Sequence, residues 1–355
     1  MSDEFRELLR KIGSGVHTGE SLNRPEAAAA TRMMLLAEAT PAQIGAFMIS
    51  HRIKRPTGEE LAGMLDAYDE LGPKLKPIET GNFAGIPPTV LGVPYDGRSR
   101  TAPISPLTAL ILASAGAPVI MHGGNIMPTK EGVPLIDIWQ GLGVDWTKLS
   151  LSQVQQVFES TGLGFVYLGT HFPEAESLVS YRREIGKRPP FATMELMWCP
   201  YLGDAHIVCG YVHPPTENMF QEAFKLRETK NFTTVKGLEG SCDLPRDRTA
   251  IIGISKPGEP FERLLIAHGD YGFTNKNPPL DSISDLIAQM QSVLHGEPSE
   301  LMQSTLWNGG FYLWRSGICP NMNSGLNKAE SLLMTGKVAE KLKEIAILII
   351  SLRSQ

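Results

Sequence analysis

Residues 92–101 combine a turn with two arginines, and these residue types could bind an anion. The segment follows a short apolar run and precedes a stretch with helical spacing, so it connects a predicted strand to a predicted helix. Pro94 has no backbone N–H, and the side chain of Tyr95 hinders the close backbone approach that a glycine-lined phosphate loop allows. Arg98 and Arg100 could bind an anion through their side chains instead. The alternative is a surface turn that contacts no ligand.

Clustered basic residues form a second candidate feature. The clusters are Arg98/Arg100, Arg182/Arg183/Lys187/Arg188 and Lys225/Arg227/Lys230. Binding to a phosphate backbone requires clustered cations, so these residues could line one groove for a nucleic acid. Against this, the formal net charge of −5 does not indicate a globally basic protein, and most charge clusters are solvated faces.

The composition excludes several classes of protein. With 42% hydrophobic and 20% charged residues, the chain can bury a sizeable core and is neither disordered nor a coiled coil. Its 355 residues correspond to two domains or one large one. The longest apolar run, residues 345–352, is far shorter than the ~20 residues that span a bilayer. The four cysteines form no CxxC pair, so we expect a cytoplasmic protein without disulfides, a zinc knuckle or a membrane segment.

Residues 1–75 are predicted to form an all-helical domain. Apolar residues between positions 5 and 12 recur at helical spacing. Asn23, Thr40 and Thr57 each stand three residues before a Glu or Gln, which is the pattern of a capping box at a helix start. Residues 76–88, rich in proline and glycine, are predicted to be a hinge linker.

Residues 89–355 are predicted to form an α/β domain. Short apolar runs alternate there with stretches of helical spacing, which indicates a mostly parallel sheet covered by helices. The predicted strands are residues 89–93, 118–121, 165–168, 206–212, 232–235 and 250–254. Two further helices are predicted over residues 282–294 and 327–352.

Several segments resemble anthranilate phosphoribosyltransferases, which belong to glycosyltransferase family 3. Residues 36–67 are similar to that family's helical N-terminal domain, and residues 306–317 and 325–342 to its closing helices. Residues 180–192 and 235–245 fall where the family has corresponding motifs. The resemblance implies a fold of the nucleoside phosphorylase and phosphoribosyltransferase type, with the active site in the cleft between the two domains. It also implies that helices from about 150–185 pack on the helical domain, through which two copies form a homodimer.

The resemblance implies a reaction that displaces pyrophosphate from phosphoribosyl pyrophosphate and places the ribosyl group on the amine of anthranilate. The family's phosphate loop reads G-T-G-G-D-G, followed by Thr, Asn, Ile and Ser. The implied donor-binding residues here are Gly92, Asp96, Gly97, Arg98, Thr101 and Ser105. Pro94 and Tyr95 replace the two middle glycines of that loop.

For the aromatic acceptor, the resemblance implies His122, Gly123 and Arg182. His122 and Gly123 match the family's K-H-G-N-R motif, whose lysine is Met121 here, and Lys130 on the same loop could substitute for it. Arg182 occupies the position at which the family's arginine contacts the anthranilate carboxylate. The alternatives are a structural histidine at a strand end and a basic helix face in solvent.

The family's H-G-x-D-G-L-D-E motif holds Mg²⁺ through its final Asp-Glu pair. In this sequence that pair reads Cys242-Asp243, and Glu239 replaces the earlier Asp. Because Mg²⁺ prefers oxygen to thiol ligands, Glu239 and Asp243 are the candidate ligands, and weakened Mg²⁺ binding is expected. The alternative is an acidic turn without a metal.

Two motifs are similar to a divergent second branch of the family. The segments 95–98 and 237–240 fit that branch's Y-N/D-G-x-R and G-x-E-G patterns, and some of its members are regarded as nucleic-acid binders. We therefore expect a transferase that moves a phosphoribosyl group to anthranilate, as in tryptophan biosynthesis, or to a related aromatic amine. The alternative is a non-catalytic or nucleic-acid-binding relative that has lost the donor and Mg²⁺ sites. A nucleoside phosphorylase needs a phosphate-loop lysine and serine pattern that this sequence lacks.

Overall fold

The computed structural model describes residues 3–15, 17–79, 81 and 83–354. The helical domain contains α1 (Asp3–Gly13), α2 (Arg24–Leu35), α3 (Pro41–Lys54) and α4 (Gly58–Leu71). Asn23, Thr40 and Thr57 each accept a hydrogen bond from the third backbone N–H of the helix that follows, in a complete capping box. The sequence prediction of these three helix starts is therefore confirmed, and each start satisfies N–H groups that the first turn would otherwise leave unpaired.

The α/β domain alternates strands with helices. Its strands are β1 (Thr89–Leu91), β2 (Val119–Gly123), β3 (Leu163–Tyr167), β4 (His206–Gly210), β5 (Phe232–Val235), β6 (Ala250–Ser255) and β7 (Glu262–Ile266). Its helices are α5 (Ser105–Ser114), α6 (Leu135–Gly141), α7 (Leu151–Thr161), α8 (Leu168–His171), α9 (Pro173–Ser177), α10 (Val179–Ile185), α11 (Phe191–Met194), α12 (Pro214–Leu226), α13 (Ile283–Leu294), α14 (Met302–Arg315), α15 (Met322–Met334) and α16 (Lys337–Arg353). Short 3-10 turns cover Trp146–Lys148, Glu195–Met197, Leu238–Gly240 and His268–Tyr271.

Within the described residues, the strands form one sheet in the order β3-β2-β1-β4-β5-β6-β7. The pairs from β3 to β5 are parallel, whereas β6 and β7 are added antiparallel at one edge. The expected helical domain beside a mostly parallel, helix-covered sheet is thereby confirmed. The edge strand β7 was not predicted, because its residues are largely exposed and show no clear alternation of apolar and polar side chains.

The strand order creates a crevice between β1 and β4. The chain runs from β1 to β2 and β3 on one side, and then returns to β4 and β5 on the other. At such a switch point the loops leave the carboxyl ends of neighbouring strands in opposite directions, which opens a space for a ligand. The loops that follow β1, β4 and β5 border this space.

The two domains pack through α4 and α12. Arg227 pairs with Asp66 and Asp69 of α4, and the N–H of Gly58 donates to Glu222 at 3.1 Å. Within the region from about 150 to 185, helices α9 and α10 contact α2 and α3. Helix α7, in the same region, instead packs against β3 and α16. Only the later part of that region therefore joins the helical domain.

The closing helices differ from the sequence prediction. A single helix was expected over residues 327–352, but the structure has α15 and α16, separated by Gly336 with a φ of 75°. Glycine readily adopts this left-handed conformation and commonly ends a helix. Helix α14 was not predicted from periodicity, although the resemblance placed residues 306–317 among the family's closing helices. Within the described ranges, no helix is both long and apolar enough to cross a membrane.

Candidate functional site

Two glycines shape the loop after β1 through close contacts with neighbouring backbone. The N–H of Gly92 donates to the carbonyl of Val208 at 2.8 Å, and a Cβ at Gly92 would lie 2.2 Å from the carbonyl oxygen of Leu196. Gly97 has a φ of 73°, and a Cβ there would lie 2.4 Å from the carbonyl carbon of Gly132. Both glycines fix the loop against the protein, and their role in holding phosphates stays a prediction.

Tyr95 of this loop packs against His122 of β2. Tyr95 is 4% exposed, and its Oη lies 2.5 Å from Nδ1 of His122. The His122 ring lies edge-on to the ring of Trp198, with centroids 5.2 Å apart. Burial lowers the pKa of His122 to about 3, which keeps its imidazole neutral at pH 7. His122 and Gly123 are both enclosed in this conformation, and their role in binding an acceptor stays a prediction.

The guanidinium of Arg182 pairs with a carboxylate of the same chain. Both terminal nitrogens of Arg182 donate to Glu195, with Nη1 to Oε2 at 3.1 Å. Arg182 and Glu195 are 2% and 1% exposed, and the guanidinium lies 5.8 Å from the centroid of the Phe191 ring. Arg182 thus points into the protein rather than to a solvated helix face. Its expected contact with an acceptor carboxylate stays a prediction, which requires the displacement of Glu195.

Glu239 bridges the crevice from the loop after β5 to the loop after β1. Its carboxylate accepts hydrogen bonds from the N–H groups of Ser99, Arg100 and Thr101 at 3.3, 3.1 and 3.0 Å. Thr101 Oγ1, at 2.9 Å, and Lys130 Nζ, at 2.5 Å, donate to the same carboxylate. Burial by itself raises the pKa of Glu239, but the hydrogen bonds from Lys130 and Thr101 lower it to about 2. The loop after β1 therefore surrounds an ionised carboxylate.

Asp243 lies at the N-terminus of α5. Its Oδ2 accepts hydrogen bonds from the N–H of Ile104 at 2.8 Å and from Nη1 of Arg98 at 2.5 Å. Arg98 also donates to Oγ of Ser241 at 3.1 Å, and its Nε lies 3.7 Å from Glu239. A carboxylate at this position is stabilised by the unpaired N–H groups and the dipole of the helix. Arg98, which the sequence suggested as an anion ligand, is 1% exposed and neutralises two internal carboxylates.

Glu239 and Asp243 do not fit a Mg²⁺ ion in this arrangement. Mg²⁺ requires oxygen ligands in near-octahedral geometry, with carboxylates free to face the ion. Here Lys130 and Arg98 hold the two carboxylates, and these cations would repel a divalent ion. Among the described residues, no group of three or more histidine, cysteine or acidic side chains is arranged to hold a metal. Glu239 and Asp243 are therefore unsuited to bind Mg²⁺ unless both ion pairs are first broken.

Three more residues were predicted from the sequence to bind the phosphoribosyl donor, namely Asp96, Thr101 and Ser105. Asp96 is 5% exposed, and its Oδ2 lies 3.7 Å from Nε of Arg188. Ser105 is the buried first residue of α5. Thr101 is half-buried and, with Glu239, borders an open cavity. Of the residues predicted from the sequence, Arg98, Thr101, Glu239 and Asp243 form one connected cluster, whereas Arg182 and His122 belong to separate buried groups.

Two cavities remain open at the carboxyl edge of the sheet. One of about 350 Å³ lies beside Thr101 and Glu239, and one of about 270 Å³ lies between the helical domain and the loop after β4. The arginines and lysines that line them are Arg100, Lys236 and Arg248 in the first, and Arg52 and Arg188 in the second. Larger cavities of about 630 and 720 Å³ lie at the amino edge, away from the crevice loops. Glu239 and Asp247 also line the first cavity, so both basic and acidic side chains border the mouth of the crevice.

Sequence reasoning missed Glu195 as the partner of Arg182. Glu195 follows the arginine-rich segment 182–188 by only a few residues, and an acidic residue that close to clustered arginines is a signal of an ion pair. The pairing of Arg98 with Asp243 joins residues 145 positions apart. Such a contact leaves no local pattern in the sequence.

Comparison with known families gives matches to both domains. Residues 6–72 match the glycosyl transferase family, helical bundle domain, and residues 96–339 match the glycosyl transferase family, a/b domain. The anthranilate phosphoribosyltransferase of Chromobacterium violaceum is 27% identical over 338 residues, which cover 93% of this chain and 94% of that protein. The anthranilate phosphoribosyltransferase of Azorhizobium caulinodans is 27% identical over 347 residues, covering 97% and 96%.

Solved structures show the same fold. Anthranilate phosphoribosyltransferase from Saccharomyces cerevisiae, in complex with phosphoribosyl pyrophosphate and Mg, superposes with a TM-score of 0.82 over 99% of each chain, at 15% identity. The Thermus thermophilus enzyme of the same name gives a TM-score of 0.76 over 98% of this chain and 100% of its own, at 19% identity. The architecture is thus shared over essentially the whole length.

Proposed function

Because the chain belongs to the glycosyl transferase family, we propose that it transfers a phosphoribosyl group from phosphoribosyl pyrophosphate to anthranilate or a related aromatic amine. The names of the relatives aligned along nearly the whole chain support this proposal. The observation that carries it is the cavity of about 350 Å³ at the crevice, which is lined by Arg100, Lys236 and Arg248 together with Glu239 and Asp247, the latter paired with Arg248 at 2.8 Å. A cluster of cations at a switch point favours an anionic sugar ligand.

The proposed reaction forms a bond between the acceptor nitrogen and the anomeric carbon of the ribosyl group. The bond from that carbon to a pyrophosphate oxygen breaks, pyrophosphate leaves with the bonding electrons, and the acceptor nitrogen releases one proton. Cations fixed at the cavity stabilise the negative charge that develops on the leaving group. Holding both reactants in one crevice removes much of the entropic cost of their encounter. Glu239 and Asp243 act in this proposal as counter-ions of Lys130 and Arg98 rather than as metal ligands.

Ligand entry in this proposal requires movement of the loop after β1. Tyr95, His122 and Arg182 are enclosed in the described conformation. We propose that the hinge at residues 76–88 and the loop after β1 open together, which brings the donor residues of that loop to the ligand. We further propose that two copies associate through the helical domain.

Anthranilate fluorescence provides the test. The purified chain, mixed with phosphoribosyl pyrophosphate and anthranilate, is expected to consume the fluorescent amine, with and without added Mg²⁺. The variants Lys236→Met and Arg248→Met each remove one cation of the cavity and should lower the rate at least tenfold. Lys256→Met, at the opposite edge of the sheet, is the matched control and should keep the rate of the unaltered chain. Absence of turnover, together with absence of heat on titration with phosphoribosyl pyrophosphate, would refute the proposal.

Exposed cations beside the crevice favour a second candidate function, binding of single-stranded nucleic acid. Nη1 of Arg52 on α3 donates to the carbonyl of Arg188 after α10 at 2.6 Å, so the ends of these helices adjoin. Arg55, Arg183 and Lys187 near the same ends are exposed. Fluorescence anisotropy with a labelled single strand tests this candidate, since phosphate-backbone contacts make the logarithm of the binding constant fall linearly with the logarithm of the salt concentration. Unaltered anisotropy at low salt would exclude it.

A further inference from the structure

The carboxylate of Glu239 occupies a place built for an anion. Three consecutive N–H groups, those of residues 99–101, converge on it with the hydroxyl of Thr101 and the ammonium of Lys130. Successive N–H groups that face one concavity form a nest for phosphate or carboxylate. The Glu239 side chain is 3% exposed, so its charge depends on these partners rather than on water. The loop after β1 therefore has an anion site, and the protein's own side chain fills it.

The backbone at Glu239 adopts a left-handed conformation that directs this side chain toward the loop after β1. Its φ of 53° and ψ of 25° lie in the left-handed region, which is unfavourable for a residue with a Cβ. Gly240 follows with a φ of 82°, which completes the turn. Two consecutive residues in this conformation project the carboxylate across the crevice. An unfavourable backbone at this point is maintained by what the carboxylate gains in the nest.

The filled nest adjoins open space. The cavity of about 350 Å³ borders both Thr101 and Glu239, and Arg100, which lies 3.7 Å from the carboxylate, is 78% exposed. Lys236 and Arg248 line the same cavity. Asp247, which pairs with Arg248 at 2.8 Å, lines it as well, so an anion that enters from solvent meets Arg100 and Lys236 before it reaches the nest. The displaced carboxylate can rotate into the cavity and keep a cationic neighbour there.

We propose that Glu239 is an internal anion that closes a phosphoryl-binding nest, and that a phosphoryl group binds the nest by displacing it. A phosphoryl group matches the site because its oxygens accept several N–H hydrogen bonds at once and its charge suits Lys130 and Arg100. The choice of a phosphoryl group rests on the proposed function, whereas the anion preference follows from the contacts of the nest. The free chain is autoinhibited at this loop, and every anionic ligand competes with a resident carboxylate.

Binding of inorganic phosphate, measured by titration calorimetry, tests this inference without turnover. Glu239→Gln removes the charge and keeps the shape, and Glu239→Gly suits the left-handed backbone and is expected to fold well. Both variants should bind phosphate about tenfold or more tightly than the unaltered chain, because one charge-assisted hydrogen bond that is freed for the ligand corresponds to about a tenfold change. Adding Lys130→Met to Glu239→Gly should remove most of the gain.

Glu217→Gln serves as the matched control, since Glu217 is also a buried carboxylate that pairs with an arginine, Arg263, outside the crevice. Its phosphate affinity should equal that of the unaltered chain. The inference is overturned if Glu239→Gly folds and binds phosphate no more tightly than the unaltered chain. An equal gain in Glu217→Gln would overturn it as well. A gain confined to the Glu239 variants, in a chain that transfers no phosphoribosyl group, would support the nest and refute only the proposed function.

Discussion

Replacing Arg182 by methionine is expected to lower the free energy of unfolding by about 3–5 kcal/mol, the usual cost of removing one partner of a buried ion pair. Arg182 on α10 and Glu195, in the 3-10 turn after α11, are both almost completely buried. Methionine keeps most of the apolar stem, so the lost packing is small. The main loss is the bidentate partner of the Glu195 carboxylate, which water cannot replace in the core.

Urea unfolding of four proteins measures this effect: the unaltered chain, Arg182→Met, Glu195→Gln and the double variant. Because each single variant leaves one charge buried without its partner, the double variant should lose less stability than the sum of the two. Burial raises the pKa of Glu195 above its ordinary value of 4.5. Arg182 opposes this rise, so its removal raises the pKa of Glu195 further. A group whose pKa is raised in the folded state stabilises the fold below about pH 4.5 and loses that stability as the pH rises, so the deficit of Arg182→Met relative to the unaltered chain should be larger at pH 7 than at pH 5.

A loss of less than about 1 kcal/mol in the free energy of unfolding of Arg182→Met would mean that the pair contributes no more than an exposed ion pair does. The guanidinium would then be available to a ligand at small cost. An equal deficit at both pH values would contradict the electrostatic explanation and assign the loss to packing. Either result would refute the conclusion that Glu195 neutralises Arg182.

Two further predictions concern acid stability. Although burial raises the pKa of Glu60, the His51 ring 3.5 Å away and hydrogen bonds from Lys54 and Leu22 lower it from 4.5 to about 2. Its contribution of about 3 kcal/mol is therefore present above pH 4.5 and lost as the pH falls toward 2, and Glu60→Gln should flatten this decline in urea midpoints measured from pH 6 to 3. The pKa of His122 is lowered from 6.5 to about 3, so the unfolded chain takes up its proton first and stability falls by about 1.4 kcal/mol per pH unit below 6.5. His122→Phe should remove that slope, and an unchanged slope between pH 6.5 and 4.5 would show that His122 does not titrate in this way.

Local signals made most of the fold predictable. The capping boxes at Asn23, Thr40 and Thr57 involve residues three positions apart, so the sequence alone contains both partners. Buried parallel strands such as β2 appear as continuous apolar runs, because helices cover both faces. The edge strand β7 lacks that signal, since solvent rather than a helix faces most of its side chains.

The site was predictable only as a set of separate residues. Sequence motifs identified Arg98, Glu239 and Asp243, but they could not show that the arginine pairs with both carboxylates. Those contacts span about 140 positions and depend on the strand order that brings the loops after β1 and β5 together. The same limit explains why Glu239 was expected to hold a metal, whereas the structure places it against N–H groups and Lys130.

Three carboxylates of this chain, on Glu239, Asp243 and Glu195, neutralise the arginines and the lysine that the proposed reaction would require for its anionic ligands. Each is already paired with a cation, so a ligand gains only the difference between its own contacts and those of the carboxylate that it replaces. Of the three, Glu239 borders the cavity of about 350 Å³, whereas Asp243 and Glu195 line neither of the two cavities described at the crevice. Displacement therefore has to begin at Glu239, and the first contact of an anionic ligand with this protein is a competition at the loop after β1.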